Sequence, residues 1–440
     1  MRVKLLLVLL LSIGTAQATD LLDAYRDALG YDAQFAAARS ALTAGREQLP
    51  QGRAGLLPSI GLSANTLWNK LDYQSRPAAG DIPADYNSNG WSLNLSQPLF
   101  RWQNWASYKQ SELAVAQAET QFAAAKQDLI LRVAQAYFDV LLAQETLATA
   151  RAQKVAITEQ LAQAKRNFEV GTATITDTNE AQARSDLTTA QEIAAANDLR
   201  VKRNALEMLI GKEPQALQPL KPGVEIAPPQ PDDIAKWSAS AEQGNLAVQA
   251  SKAALEIADR EVDKQRAGHY PTLDLVASRG RASQSGTLAL GQLMHGSDVD
   301  STVVGLQLAI PVFAGGAISS RDRQAVALRD KARFDLENAR RQAALSARQA
   351  YLGVTSGLAQ VKALEQGLVS SQTALASNQL GYEVGVRINI DVLNAQQQVF
   401  STRRDLAKAR LDTLTAELQL KAAVGTLSEA DLVAINGLLQ

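Results

Sequence analysis

The sequence predicts a mixed α and β protein made of two copies of one structural unit, and three observations carry that prediction. The segment Phe168-Glu169-Val170-Gly171 recurs 214 positions later as Tyr382-Glu383-Val384-Gly385. Each copy also has a pair of short segments in which apolar and polar residues alternate, followed by a very long stretch rich in helix formers. Two copies of such a unit are typical of a quasi-symmetric wall or tube rather than of a fold around one catalytic cleft.

The composition excludes several classes of function. The 440 residues carry a formal charge of −1, with basic and acidic residues interleaved, which does not favour a nucleic-acid partner. There is no cysteine, so disulfides, thiolate catalysis and cysteine metal sites are excluded. With His269 and His295 as its two histidines, the chain offers no constellation for a zinc or triad enzyme. We therefore expect no catalytic residue, no metal and no cofactor.

Residues 1–18 have the pattern of a secretory signal peptide. Arg2 and Lys4 precede the apolar run from Leu5 to Leu11, and Ala16-Gln17-Ala18 provides a small-residue cleavage site. The alternatives are a membrane anchor or a buried first helix, but the run is far shorter than the roughly 20 residues that span a bilayer. The mature chain is therefore expected to begin after Ala18, without a lipid-bearing cysteine.

The mature chain divides into repeat 1 (19–211), a proline-rich linker or equatorial region (212–233), repeat 2 (234–425) and a C-terminal tail (426–440). A first helix is expected from about Asp20 to Gln48, and its counterpart from about Pro231 to Ala267. Pro58 and Pro271 then end the helical pattern in each repeat.

The alternating segments predict one β-hairpin in each repeat, at about 59–97 and 272–310. In repeat 1, Ile60, Leu62 and Trp68 alternate with small polar residues. This period suits strands between lipid and a water-filled lumen, although a half-buried hairpin of a soluble protein has the same period. Four of the five tryptophans cluster in and beside the first hairpin, as is typical of a membrane interface. Segments 72–88 and 284–300 are expected to be exposed loops, with His295 on the second.

The longest predicted elements are helices at about 101–168 and 317–380. The first has neither glycine nor proline and would be about 100 Å long at 1.5 Å per residue. The second contains Gly353, Gly357 and Gly367, which allow the helix to bend. Val170-Gly171 and Val384-Gly385 end these helices in turns, and return helices follow at about 176–210 and 390–424. A solitary two-stranded coiled coil would show a narrower apolar seam.

With these repeated features, the chain resembles the TolC family of bacterial outer-membrane channel proteins. The resemblance is closest at 135–182 and 349–396, where Gln-Ala-Tyr, the aromatic-Glu-Val-Gly turn and a later Asp-x-x-x-Ala-Gln fit the family pattern. It implies a homotrimer with a twelve-stranded outer-membrane β-barrel, four strands per chain, continuous with a long periplasmic α-helical barrel. Implied partners are a periplasmic adaptor protein, an inner-membrane pump of ABC or RND type and outer-membrane lipid.

The resemblance also implies where the tunnel closes. The candidate gate residues are Thr176, Asp177, Tyr382 and Arg387, and we hypothesise that Arg387 and Tyr382 contact Asp177 or Thr176 to hold the channel shut. Asp391 and Asn394 are the candidate pore constriction. The family often has a second acid at the position of Asn394, so tight block by multivalent cations is in doubt. The alternative for Asp177 and Asp391 is that they only cap the return helices.

The function implied is passive export across the periplasm and outer membrane, of secreted protein by type I secretion, of small toxic compounds, or of both. A dedicated multidrug efflux channel is the alternative within this class. A periplasmic coiled-coil scaffold without a pore is the alternative from another class. The unlipidated N-terminus and the segment around Ile175-Thr176-Asp177 favour the secretion branch.

Overall fold

The computed structural model describes residues 19–74, 81–214, 216–289 and 292–440, so the signal-peptide prediction lies outside the described residues. The chain divides into two compact units. The helical unit comprises the described part of Met1–Ser40 with Thr120–Gln249 and Asn338–Gln440. The sheet unit comprises Ala41–Glu119 and Ala250–Glu337.

The elements follow the same order in both repeats, except that three helices precede the hairpin of repeat 1 and two precede that of repeat 2. Repeat 1 contains α1 (Leu21–Tyr31), α2 (Ala33–Arg46), α3 (Gln48–Ala54), β1 (Ser59–Gln74), β2 (Asp81–Phe100), α4 (Trp102–Glu169) and α5 (Ile175–Ile210). Repeat 2 contains α6 (Ile234–Gly244), α7 (Leu246–Arg266), β3 (Thr272–Ala289), β4 (Gln292–Ala309), α8 (Ala317–Glu383) and α9 (Asn389–Ala423), and α10 (Glu429–Asn436) lies in the C-terminal tail. Among the described residues, every helix falls short of the combined length and apolarity that a membrane span requires.

The four strands form one antiparallel sheet in the order β1-β2-β3-β4. Their register puts Leu62 opposite Leu93 on one face and Ser63 opposite Ser92 on the other. On the second face the Ser63 and Ser92 hydroxyls are hydrogen-bonded at 2.8 Å. The sheet thus has an apolar face and a face of small polar residues, as the alternating pattern predicts.

The loop predictions for 72–88 and 284–300 are wrong. Most of both segments is strand: Asp85 pairs with Lys70 across the first hairpin, and His295 pairs with Gly286 across the second. Gly, Ser and Asp disfavour strands on their own, but cross-strand pairing outweighs local propensity. The strands are therefore 16 to 20 residues long, beyond the ten or so that the pattern indicated.

A buried ion pair anchors the turn from β2 into α4. Arg101 donates through Nε and Nη2 to the two carboxylate oxygens of Asp274 on β3, at 2.8 and 2.5 Å. Asp274 is buried although most of the sheet is exposed in the isolated chain. A bidentate arginine–carboxylate pair is directional, so it holds Arg101, the residue between β2 and α4, against β3.

The single first helix expected in each repeat is in fact interrupted. In repeat 1 the break is at Asp32, whose carboxylate accepts from the Phe35 backbone N–H at 2.6 Å and so caps α2. In repeat 2 the break is at Asn245, 213 positions later, whose side chain accepts from the Ala247 N–H at 2.9 Å. A capping side chain competes with the continuous helix, and here it wins in both repeats.

α8 continues from Ala317 to Glu383 as one helix through its glycines. At Gly357 an added Cβ would lie 2.4 Å from the Thr413 hydroxyl oxygen on α9. The missing side chain therefore allows close packing of the return helix.

The repeated Gln-Ala-Tyr motif places two tyrosines at equivalent structural positions. The Tyr137 hydroxyl lies 3.1 Å from the Thr19 carbonyl and accepts a hydrogen bond from the Gln218 N–H at 3.1 Å. In repeat 2, Tyr351 donates to the Asp232 carboxylate at 2.5 Å. Thr19 and Asp232 precede the first helix of their repeats, so each tyrosine fixes the start of its own repeat.

Tyr137→Phe should lower the free energy of unfolding by about 1–3 kcal/mol, because it leaves the partly buried Gln218 N–H without its acceptor. The matched control is Tyr25→Phe in the same core. Tyr25 is fully buried and its hydroxyl has no hydrogen-bond partner among the described residues, so this change should be neutral or stabilising. Denaturant unfolding in detergent measures both. Equal effects of the two variants would refute the role assigned to the Tyr137 hydroxyl.

Candidate functional site

The candidate site lies where the two long helices turn back. After α4 the Thr172 N–H bonds to the Asn167 carbonyl at 2.8 Å, and after α8 the Val386 N–H bonds to the Gly381 carbonyl at 2.8 Å. Gly171 in the first turn has a φ of 77°, and Gly385 in the second turn has a φ of 78°. This left-handed geometry favours glycine and closes the same C-terminal motif in both repeats. The two predicted helix-tip turns are thus equivalent in structure.

The return helices begin differently, and the difference is in their caps. Thr174 caps α5 in a capping box with Asp177: the Asp177 N–H donates to the Thr174 hydroxyl at 3.2 Å, and the Thr174 N–H donates to the Asp177 carboxylate at 2.9 Å. The equivalent position before α9 is Ile388, which has no side chain able to accept a hydrogen bond. Asp391 instead forms an ion pair with Arg387, at 3.6 Å.

Tyr382 connects the two tips. Its hydroxyl accepts a hydrogen bond from the Asn167 side-chain amide at 3.2 Å, which joins the end of α8 to the end of α4. The equivalent residue in repeat 1 is Phe168, which lacks the hydroxyl. Within the chain, therefore, Tyr382 bonds to Asn167 and Arg387 to Asp391. The hypothesised contacts of these residues with Thr176 or Asp177 stay a proposal for neighbouring protomers.

Sequence reasoning did not identify Arg184 and Gln397, two residues beside the proposed constriction. Arg184 on α5 donates to the side-chain amide oxygens of Asn394 at 2.9 Å and Gln397 at 2.6 Å, both on α9. The position equivalent to Arg184 in repeat 2 is Gln398, so this departure from the repeat was the one available signal. Arg184 thus brings Asn394, a predicted constriction residue, into a polar link between the two return helices.

A cavity of about 540 Å³ lies beside Tyr382, between α4, α8 and α9. Three amide side chains that line it have an atom without a hydrogen-bond partner among the described residues: Gln160, Asn389 and Gln396. Asn389 and Gln396 are more than nine-tenths buried. Unpaired buried amides weaken this interface relative to a fully satisfied one.

Comparison with known proteins agrees with this architecture. A family model for outer membrane efflux proteins matches residues 24–212 and 237–426. The protease secretion protein PrtF of Dickeya chrysanthemi is 34% identical over 445 residues, covering 100% of this chain and 95% of that protein. The alkaline protease secretion protein AprF of Pseudomonas aeruginosa is 35% identical, covering 96% and 88%. The outer membrane protein TolC of Vibrio cholerae is 33% identical, covering 95% and 93%.

Solved structures show the same fold at lower identity. The outer membrane protein VceC of Vibrio cholerae superposes with a TM-score of 0.77 at 19% identity, covering 92% of this chain and 96% of that one. The Campylobacter jejuni CmeC outer membrane channel gives 0.79 at 18%, covering 94% and 89%. The chain therefore belongs to the outer membrane efflux protein family: it is an outer-membrane channel protein that extends into the periplasm, with the mixed α and β fold of the family's trimeric channels.

Proposed function

We propose that this channel is the outer-membrane component of a tripartite type I secretion system and conducts secreted protein. The observation that carries the proposal is full-length similarity to two proteins named for protease secretion, at 34% and 35% identity. The duct is passive and catalyses no reaction, so an inner-membrane pump of ABC type supplies the energy. Efflux of small toxic compounds with an RND-type pump is the second candidate, and TolC and the family model support it.

The sheet supports assembly as a homotrimer. β1 and β4 are its edge strands, and each presents one row of unpaired backbone groups. Four strands are too few to close a barrel around a lumen, whereas three chains give twelve. Closure then turns the apolar face towards outer-membrane lipid and the small polar face towards water.

The helix tips support contact with a periplasmic adaptor. Val170 and Val384 are 73% and 66% exposed, and Val386 beside the second turn is 76% exposed. Apolar side chains clustered at a helix tip typically mark a protein interface. The same turns recur in both repeats, so a trimer presents six similar tips to the adaptor.

The closed state is held at these tips. We assign Thr176, Asp177, Tyr382 and Arg387 to the gate, through hydrogen bonds and ion pairs between neighbouring protomers, and Asp391 with Asn394 to the constriction. The unpaired amides of Gln160, Asn389 and Gln396 support this assignment, because an under-satisfied interface is a suitable place for helices to move.

The test is secretion from a host that lacks its own channel of this type. The host expresses this chain with an ABC exporter, its adaptor and a protease cargo, or with a resistance pump and its adaptor. We expect secreted protease, and we expect Val170→Asp with Val384→Asp to abolish it while purified trimers still conduct in planar bilayers. Drug resistance without secretion would favour the efflux alternative, and a soluble elongated monomer would favour the scaffold.

A further inference from the structure

Arg184 has no basic equivalent in repeat 2, where the corresponding residue is Gln398. Arg184 is on α5, two helical turns after Asp177, and both of its terminal nitrogens donate to α9. Asn394 and Gln397, the two acceptors, are one turn apart on α9, which matches the fork of a guanidinium group. Arg184 therefore joins the return helix of repeat 1 to that of repeat 2 at the level of Asn394.

The electrostatic character of this contact differs from that of the ion pairs that α5 and α9 form elsewhere. Arg410 on α9 pairs with the Glu365 carboxylate at 2.7 Å, and Lys202 on α5 pairs with the Asp139 carboxylate at 2.8 Å. Both partners of Arg184 are neutral amides, so hydrogen bonding to them orients the guanidinium without cancelling its charge. Asp391, one turn before Asn394, already has Arg387 as its partner.

We propose that Arg184 is a charge-selectivity determinant of the gate. The inference rests on the proposed function, in which Asp391 and Asn394 line the constriction of a trimer. Three copies of Arg184 then place a ring of positive charge beside Asn394, one turn from the acidic ring of Asp391. This ring opposes the passage of small cations and repels multivalent cations that the Asp391 carboxylates attract.

The experiment compares wild-type trimers with Arg184→Gln and Arg184→Lys in planar bilayers. It measures the reversal potential in a tenfold KCl gradient and the block by the trivalent hexaamminecobalt cation. We expect Arg184→Gln to shift the reversal potential towards the equilibrium potential of potassium. We also expect it to strengthen the block by hexaamminecobalt about tenfold. That factor corresponds to removing three unit charges, each about 10 Å from a trivalent ion in water and screened over one Debye length of about 10 Å. Arg184→Lys keeps the charge and should stay close to wild type.

The matched control is Arg200→Gln, which removes the same charge from the same exposed helix. Sixteen residues of α helix separate Arg200 from Arg184, or about 24 Å, which is beyond the Debye length of about 10 Å at 0.1 M salt. It should change neither quantity. The inference is overturned if Arg184→Gln matches wild type, or if Arg184→Lys changes selectivity as much as Arg184→Gln. Wild-type trimers that form no channel at all would contradict the proposed function and this inference with it.

Discussion

Replacing Arg132 by methionine should lower the free energy of unfolding of the helical unit by about 3–5 kcal/mol, the cost of leaving a buried carboxylate without its partner. Arg132 donates to both oxygens of Asp32, at 2.8 and 3.0 Å, and also to Asp128 at 2.7 Å. Asp32 is only 6% exposed, and it also caps α2. Loss of the arginine therefore leaves the Asp32 carboxylate without its cationic partner at the break between α1 and α2.

Denaturant unfolding of the detergent-solubilised protein measures this effect, and two variants control it. Arg26→Met breaks an exposed pair with Asp23 and should cost less than about 1 kcal/mol. Asp32→Asn combined with Arg132→Met removes the stranded charge and should recover part of the loss. If Arg132→Met cost no more than Arg26→Met, the buried pair would have no structural role.

The same pair predicts how stability depends on pH. The hydrogen bonds from Arg132 hold the pKa of Asp32 below its ordinary value. A carboxyl group with a lowered pKa in the folded state stabilises that state above its unfolded pKa of about 4, and this contribution disappears as the pH falls through the folded pKa. Wild type should thus lose stability below about pH 4 more steeply than Asp32→Asn.

Combining Tyr382→Phe with Arg387→Ser should raise single-channel conductance in planar bilayers. The first change removes the acceptor of the Asn167 amide, and the second removes the cation beside Asp391. In the gate proposed above, Arg387 also forms a charge-assisted contact with Asp177 of a neighbouring protomer, and a contact of that kind contributes about 1.5–3 kcal/mol. Three protomers lose these contacts together, so the balance between closed and open states should shift by orders of magnitude.

Arg404→Ser is the control for the gate. Arg404 is also on α9 and forms an exposed pair with Asp405, so its removal should leave conductance unchanged. Unchanged conductance of the double variant would remove Tyr382 and Arg387 from the gate. A rise in both the double variant and the control would point to general loosening of α9 instead.

The sequence predicted the elements that are delimited by strong local signals. Val170-Gly171 and Val384-Gly385 located the helix ends to within a few residues, because a left-handed glycine after a helical run has few alternatives. It failed where tertiary contacts decide. Nothing local distinguishes Asp32 from other polar residues of a helical stretch, and Arg132, which pairs with its carboxylate, lies 100 positions away.

The site was predictable in position but not in its contacts. The repeat placed Tyr382, Arg387 and Asp391 at one turn, and the structure shows them there. Which partner each side chain takes depends on distances between helices that no spacing records. For this reason the link from Arg184 to Asn394 and Gln397 emerged only from the structure, whereas the gate contacts between protomers stay a prediction.

Two isolated β-bridges connect the linker between the repeats to residues near the two ends of the described chain. Thr19 pairs with Leu217, and Leu439 pairs with Leu220, three residues further along. The first described residue and the last but one thus meet on one short segment, the segment that connects the repeats. A covalent junction at that place spans little distance, so two repeats can be joined head to tail there without rearrangement of the helices around it.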